Sequence, residues 1–249
     1  MTQHRLSVQT WCFREIHDNA RVARLVKECG LSAVEMSAAH VDFQAPGTFA
    51  DAIRAYRDAG LAVVSAGVNR ISGDEGKDRN LFEFLKAAGA RFMCVDFPLD
   101  RLAAGLKAAE KLAEQYDVRL GIHNHGGGHW LGNSQALRWV FSQSSPRIGL
   151  CLDTAWALDA GEDPVKMIEE FGPRVHLLHL KDFVFDRARK PQDVVVGTGN
   201  LPLPEVAAAL RRTGFAGELV LEYEGDAANP APAVTVCVQA IRREMGIPA

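Results

Sequence analysis

Residues 118–130 read V-R-L-G-I-H-N-H-G-G-G-H-W, and the alternation within this stretch decides the fold. Side chains along a strand point to opposite faces with period two. Gly121, His123 and His125 therefore share one face, and Leu120 and Ile122 share the other. The aliphatic face suits packing and the polar face suits chemistry. Parallel α/β folds place their sites where a polar side chain ends a strand and the chain runs on into a glycine turn.

Working outward, similar short runs recur at 6–11, 33–37, 61–67, 92–96, 119–123, 148–153, 175–181 and 218–224. Most successive starts lie about 30 residues apart, the size of one strand–helix unit. Helical periodicity fills the gaps, at 19–29, 49–59, 80–88, 102–116, 134–141, 164–171, 203–212 and 231–245. Gly30, Gly60 and Gly89 follow three of these helices, where glycine takes the left-handed conformation without a Cβ penalty. This pattern predicts an α/β protein, a single (β/α)8 TIM barrel over residues 1–249. A doubly wound sheet would open with a Gly-rich phosphate loop after its first strand. Here that strand leads into Trp11-Cys12-Phe13-Arg14-Glu15 instead. The segment 183–200, rich in charge and ending G-T-G-N, is expected to form a loop over the barrel mouth.

Lys and Arg number 28 against 31 Asp and Glu, a net charge of −3 with no basic block. Nucleic acid and anionic membrane are therefore poor partners. The cysteines (Cys12, Cys29, Cys94, Cys151, Cys237) are scattered, odd in number and form no C-x-x-C, which points to reduced thiols and a cytoplasmic location. The first residues lack the apolar core of a signal peptide, and no apolar run is long enough to span a bilayer. A small-molecule substrate is expected, with a homo-oligomer open.

In a closed barrel all C-terminal strand ends meet at one mouth. Four late strands bring His123, Asp153, His179 and Glu222 there, each on the face opposite the aliphatic stripe. His176 falls on the other face and reads as structural. Two imidazoles and two carboxylates suit one divalent transition metal, with Mn²⁺ put first and Co²⁺, Zn²⁺ or Fe²⁺ as alternatives. Mg²⁺ prefers an all-oxygen shell and stands further back. Such a metal stabilises an enediolate when a base takes the α-proton of a ketone. His125, Lys181 and Glu222 are the candidate acid/base groups. His125 alternatively hydrogen-bonds substrate hydroxyls, and Lys181 alternatively pairs with Asp182 or Glu224. Glu35 binds a substrate hydroxyl, orients a metal ligand or forms a buried ion pair with a Lys or Arg. His40, His129, Trp130 and Trp11 lie toward the mouth as possible substrate contacts. G-T-G-N at 197–200 is a weak phosphate-loop candidate, since its glycines also serve to shape a turn.

At these residues the chain resembles the xylose isomerase-like TIM-barrel superfamily, the group of sugar phosphate isomerases/epimerases and AP endonuclease family 2. The matching segments are A-V-E-M with Glu35, G-I-H-N-H-G-G, L-C-L-D-T-A-W-A-L-D-A-G, H-L-L-H-L-K-D, and G-T-G-N-L-P followed by G-E-L-V-L-E-Y-E. The resemblance implies one metal held at His123, Asp153, His179 and Glu222, and an isomerase or epimerase acting on a sugar or keto-sugar. Two positions depart from the pattern. His123 stands where the epimerases carry a Glu that pairs with the strand-eight Glu across the sugar carbon. Trp156 stands where many relatives carry a His, suggesting an apolar wall against the sugar or a lid over the mouth. The H-N-H form resembles a sub-branch that acts on keto-sugars and keto-glycosides by elimination. A lyase, such as a keto-inositol dehydratase or a 3-keto-glycoside eliminase, is thus the alternative. Phosphodiester cleavage would need further His and Glu ligands on early strands, and no His lies between His40 and His123. A non-catalytic sugar-binding relative is the remote reading.

Overall fold

The computed structural model describes residues 4–248. Eight parallel strands close into a barrel: β1 (Leu6–Gln9), β2 (Ala33–Met36), β3 (Ala62–Arg70), β4 (Phe92–Asp96), β5 (Arg119–His123), β6 (Ile148–Asp153), β7 (Val175–Leu180) and β10 (Glu218–Leu221). β1 pairs with β2 on one side and β10 on the other, which closes the ring. Helices α1 (Asn19–Glu28), α2 (Phe49–Asp58), α3 (Glu75–Ala88), α4 (Leu102–Tyr116), α5 (Ser134–Ser142), α6 (Thr154–Asp159), α7 (Pro164–Phe171), α8 (Leu203–Thr213) and α9 (Ala231–Met245) lie between or after the strands.

The period-two alternation sorts the core into two layers. Leu120, Ile122, Leu150, Leu152, Leu178, Leu180, Leu219 and Leu221 are buried in the large cluster that includes the helices' apolar faces. A smaller cluster of Cys94, Cys151, Leu177 and Val220 fills the inside of the barrel. Cys151, Leu177 and Val220 each stand two residues before Asp153, His179 and Glu222 on the same face. They form an apolar floor beneath the polar mouth.

The boundaries differ from the periodicity in ways that have local causes. β1 stops at Gln9 because the chain turns into a 3-10 helix at Thr10–Phe13. β10 stops at Leu221, so Glu222 and Glu224 sit beyond the ladder. α3 starts at Glu75, well before residue 80, because the Asp74 carboxylate accepts the N–H groups of Gly76 and Lys77. An Asp there satisfies the otherwise unpaired first-turn donors. The segment 183–200 is not a plain loop. Most of it belongs to an antiparallel hairpin, β8 (Asp182–Phe185) and β9 (Pro191–Val194), outside the barrel. All five cysteines are free and buried, and no helix among the described residues is long and apolar enough to cross a membrane.

Gly121 shows how tightly the inner layer is packed. A Cβ added there would lie 2.7 Å from Leu177 Cδ1 and 2.8 Å from the Cys151 backbone nitrogen. Gly121→Ala should therefore cost about 1–3 kcal/mol by overpacking. The check is a denaturant midpoint that falls at unchanged slope; an unchanged midpoint would show that β5 and β6 part more easily than their packing implies.

Candidate metal centre

His123 and Asp153 end β5 and β6, His179 is the penultimate residue of β7, and Glu222 follows β10. One nitrogen or oxygen from each lies within 4.8 Å of all the others. Asp153 and His179 are fully buried, and His123 and Glu222 nearly so. His123 Nε2 and Asp153 Oδ2 face each other at 3.6 Å, and neither has a hydrogen-bond partner. Orphaned buried polar atoms are costly and rare. Two of them converging beside an imidazole and a second carboxylate fit a divalent transition cation by donor type.

Each donor is aimed by a specific neighbour. Asp153 Oδ1 caps α6, accepting the N–H groups of Ala155 and Trp156 at 2.9 Å, which leaves Oδ2 free toward the centre. Asn124 clamps the strand tips together. Its amide donates to the Asp153 carbonyl at 2.9 Å and accepts the Asp153 N–H at 2.8 Å. His179 is held from both sides, Nδ1 by Glu222 Oε2 at 2.8 Å and Nε2 by Glu35 Oε1 at 2.9 Å. Glu35 is itself held by the Gln9 amide, which also donates to the Gly67 carbonyl at 2.8 Å. Glu35 thus holds the His179 imidazole and, among the described residues, makes no ion pair with a Lys or Arg. His123 Nδ1 lies 3.4 Å from His125 Nδ1, with the ring centroids 4.2 Å apart.

These surroundings split the two imidazoles. Burial, reinforced by the charge on His179, pushes His123 down to about 3, so it is neutral and ready to ligate. Burial acts against charge on His179 too, but the carboxylates of Glu35 and Glu222 outweigh it and hold that ring protonated. Burial raises Asp153 to about 6. It also works against ionised Glu222, yet Lys181 and then His179 keep Glu222 an anion.

Lys181 is buried among three carboxylates: Glu224, Glu222 at 3.4 Å and Asp193 at 3.7 Å. Glu222 first, then Asp153, Glu224 and Asp193, overcome burial and keep its ammonium charged. Its partner is not Asp182, whose carboxylate accepts the N–H groups of Gly197 (2.9 Å), Gly199 (2.8 Å) and Leu201 (2.8 Å). The donors of the G-T-G-N turn are therefore engaged within the fold, which removes the phosphate-loop reading. A cavity of about 300 Å³ opens over two of the four donors, His123 and Glu222. His123, His125, Glu222, Glu224, Trp11 and Trp156 are among its lining residues; Lys181 is not. Trp11 donates its indole N–H to Glu224 Oε2 at 2.9 Å. Trp156 packs edge-to-face on Phe183 of the hairpin at 4.9 Å between centroids.

Three expected mouth residues do not line this cavity. His40 Nε2 bonds with the Ile16 carbonyl at 2.9 Å, His129 faces Asp96 at 3.4 Å, and Trp130 donates to the Phe97 carbonyl at 3.0 Å. His176 is structural, its Nδ1 bonded with the Leu120 carbonyl at 3.0 Å. Sequence reasoning missed Asn124, Gln9 and Asp193. The middle letter of H-N-H was the available signal for Asn124. Gln9 carried only its place at the end of the first strand, and Asp193 carried none, since the hairpin that delivers it was not foreseen.

A family model described as xylose isomerase-like TIM barrel matches residues 23–242. Among curated proteins, an inosose dehydratase of Bacillus thuringiensis (strain Al Hakam) is 26% identical over 164 residues, covering 59% of this chain and 55% of that protein. The rhizopine catabolism protein MocC of Rhizobium meliloti is 30% identical over 132 residues, covering 47% and 40%. The matches thus span about half the length of these relatives. Among solved structures, D-psicose 3-epimerase of Clostridium cellulolyticum H10 superimposes with a TM-score of 0.76 at 14% identity, over 97% of this chain and 99% of that one. A 3-keto-D-glucoside 4-epimerase of E. coli gives 0.73 at 15%, over 97% and 100%. At these identities the two structures share the fold.

Mn²⁺ titrated into the protein at neutral pH should bind one to one. It should release about one proton, because a cation on His179 Nδ1 displaces the proton held there. Affinity should accordingly rise with pH. Calorimetry in buffers of different ionisation enthalpy reads both quantities, and absence of binding would contradict the geometry. Asn124→Ala strands the Asp153 backbone N–H and C=O in the interior. It should cost about 3 kcal/mol of stability and weaken Mn²⁺ binding in the same titration.

Proposed function

Because the chain belongs to the xylose isomerase-like TIM-barrel family, we propose that it is a divalent-metal-dependent enzyme that takes the α-proton from a keto-sugar or keto-cyclitol. The observation that carries this reading is the orphaned pair of His123 Nε2 and Asp153 Oδ2, set with His179 and Glu222 under a cavity that two tryptophans help to wall. Mn²⁺ is the ion we put first. When bound, such a cation supplies Lewis-acid polarisation of a carbonyl oxygen. Trp11 and Trp156 offer apolar faces to the C–H surface of a sugar ring. The five free, buried thiols suit a reducing cytoplasm as its compartment.

An enolised ketone can regain its proton elsewhere, which is isomerisation or epimerisation, or lose a group from the β-carbon. The arrangement around His123 supports the second outcome best. With His123 Nε2 given to the cation, its Nδ1 would carry the ring hydrogen and donate it to His125 Nδ1, 3.4 Å away. His125 then carries its own hydrogen on Nε2 and lines the cavity as a donor. The second carboxylate that an epimerase would place on strand five is absent, and a hydrogen-bond donor lies beside that position. Glu222, held anionic by Lys181, takes the α-proton. The electron pair moves into the new C=C bond as the β C–O bond breaks. His125 steadies the departing oxygen, which leaves as water or an alcohol with the proton Glu222 removed. Loss of water is also the reaction in the name of the inosose dehydratase relative.

Incubation of the Mn²⁺-loaded protein with keto-cyclitols and 3-keto-glycosides in D₂O separates the outcomes. An enone product is expected; deuterium uptake with no loss of water or aglycone would establish the isomerase or epimerase instead. His125→Ala should lower elimination about 10²-fold or more while exchange of the α-hydrogen persists. Equal loss of both would remove His125 from the departing-oxygen side.

A further inference from the structure

Leu99 and Trp139 are the most exposed large apolar side chains among the described residues, at 62% and 54%. Both border one groove of about 550 Å³ between α4 and α5. Leu102, Ala103 and Leu106 continue its apolar wall. Single exposed hydrophobics are ordinary, but a contiguous apolar groove marks a contact surface. Tryptophan is among the side chains that most often dominate such contacts. The groove shares no lining residue with the cavity at the barrel mouth.

The charges on the groove select what covers it. Glu110 is already engaged, accepting the Ser145 N–H. Asp100 and Lys107 are exposed and opposite in sign, and neither has an ion-pair partner among the described residues. They belong to one helical run, since the 3-10 helix Leu99–Arg101 leads straight into α4. Residues at this spacing fall on the same face, about 10 Å apart along the axis. One free acid and one free base so placed make the face its own complement under a two-fold rotation. With the axis crossing the run between Ala103 and Ala104, Asp100 of each copy meets Lys107 of the other. Both alanines are exposed and small, which lets the two runs approach. A foreign partner would have to reproduce this charge pattern, whereas a second copy already carries it. We propose that the α4–α5 face joins two copies of this chain in an antiparallel two-fold dimer. Trp139 of each copy is covered by the groove of the other.

Light scattering after size exclusion, on micromolar protein, should give about twice the chain mass of 27.1 kDa. Trp139→Glu should weaken self-association about thirtyfold or more, with far-UV circular dichroism showing the chain still folded. Asp100→Lys and Lys107→Asp, each alone, set like charges together and should each weaken it about tenfold or more. An equimolar mixture of these two variants restores both ion pairs, so it should dimerise as the unaltered protein does. A single-chain mass for the unaltered protein, a dimer indifferent to Trp139→Glu, or charge variants that fail to recover on mixing overturns the proposal.

Discussion

The confrontation of Asp153 Oδ2 with His123 Nε2, 3.6 Å apart and cut off from water, is the constraint on which the mouth of this barrel depends. Desolvation penalises a carboxylate and an imidazole placed there with no bonding partner. The surrounding structure keeps them in place. Asp153 spends its other oxygen as a helix cap, Asn124 rivets the tips of two strands, and Glu35 with Gln9 fixes the neighbouring His179. Each of these contacts takes away a freedom that would let the pair escape. A cation would satisfy both atoms at once, and donors held in place this way would not have to be assembled to receive it.

Charge balance follows the same logic one layer out. Glu222, Glu224 and Asp193 would repel one another if left alone in the interior. Lys181 lies among them as a buried ammonium, and Asp193 reaches it from the hairpin rather than from the barrel. The hairpin also supplies Phe183 against Trp156. The hairpin thus contributes a carboxylate beside Lys181 and an aromatic face beside Trp156 to the walls of the mouth. With His123 where the resemblance to the epimerases leads one to expect a Glu, this crowded region carries one carboxylate fewer. His123 also lies 3.4 Å from His125, and both imidazoles line the cavity.

Much of this was legible in the sequence because the barrel enforces period-two alternation. The aliphatic stripe Leu120, Ile122, Leu150, Leu152, Leu178 and Leu180 forced His123, Asp153 and His179 inward, and the structure brings them together with Glu222. What stayed hidden depends on contacts with no periodic signature. Asn124 sits at a strand end where alternation fails, and its value comes from reaching a backbone 29 residues away. The early start of α3 came from the single cap Asp74. His40 looked like a mouth residue by position, but its ring is committed to the Ile16 carbonyl. The hairpin could not be foreseen because its strands carry charged and proline residues and bury only part of themselves.

The most direct measurement of the central claim is anomalous diffraction from a crystal soaked in Mn²⁺. The account predicts one strong peak about 2.0–2.3 Å from His123 Nε2, Asp153 Oδ2, His179 Nδ1 and a Glu222 oxygen, at ordinary bond lengths for these donors. No peak at the barrel mouth, or one seated instead on the Cys94–Cys151 side of His179, would contradict it.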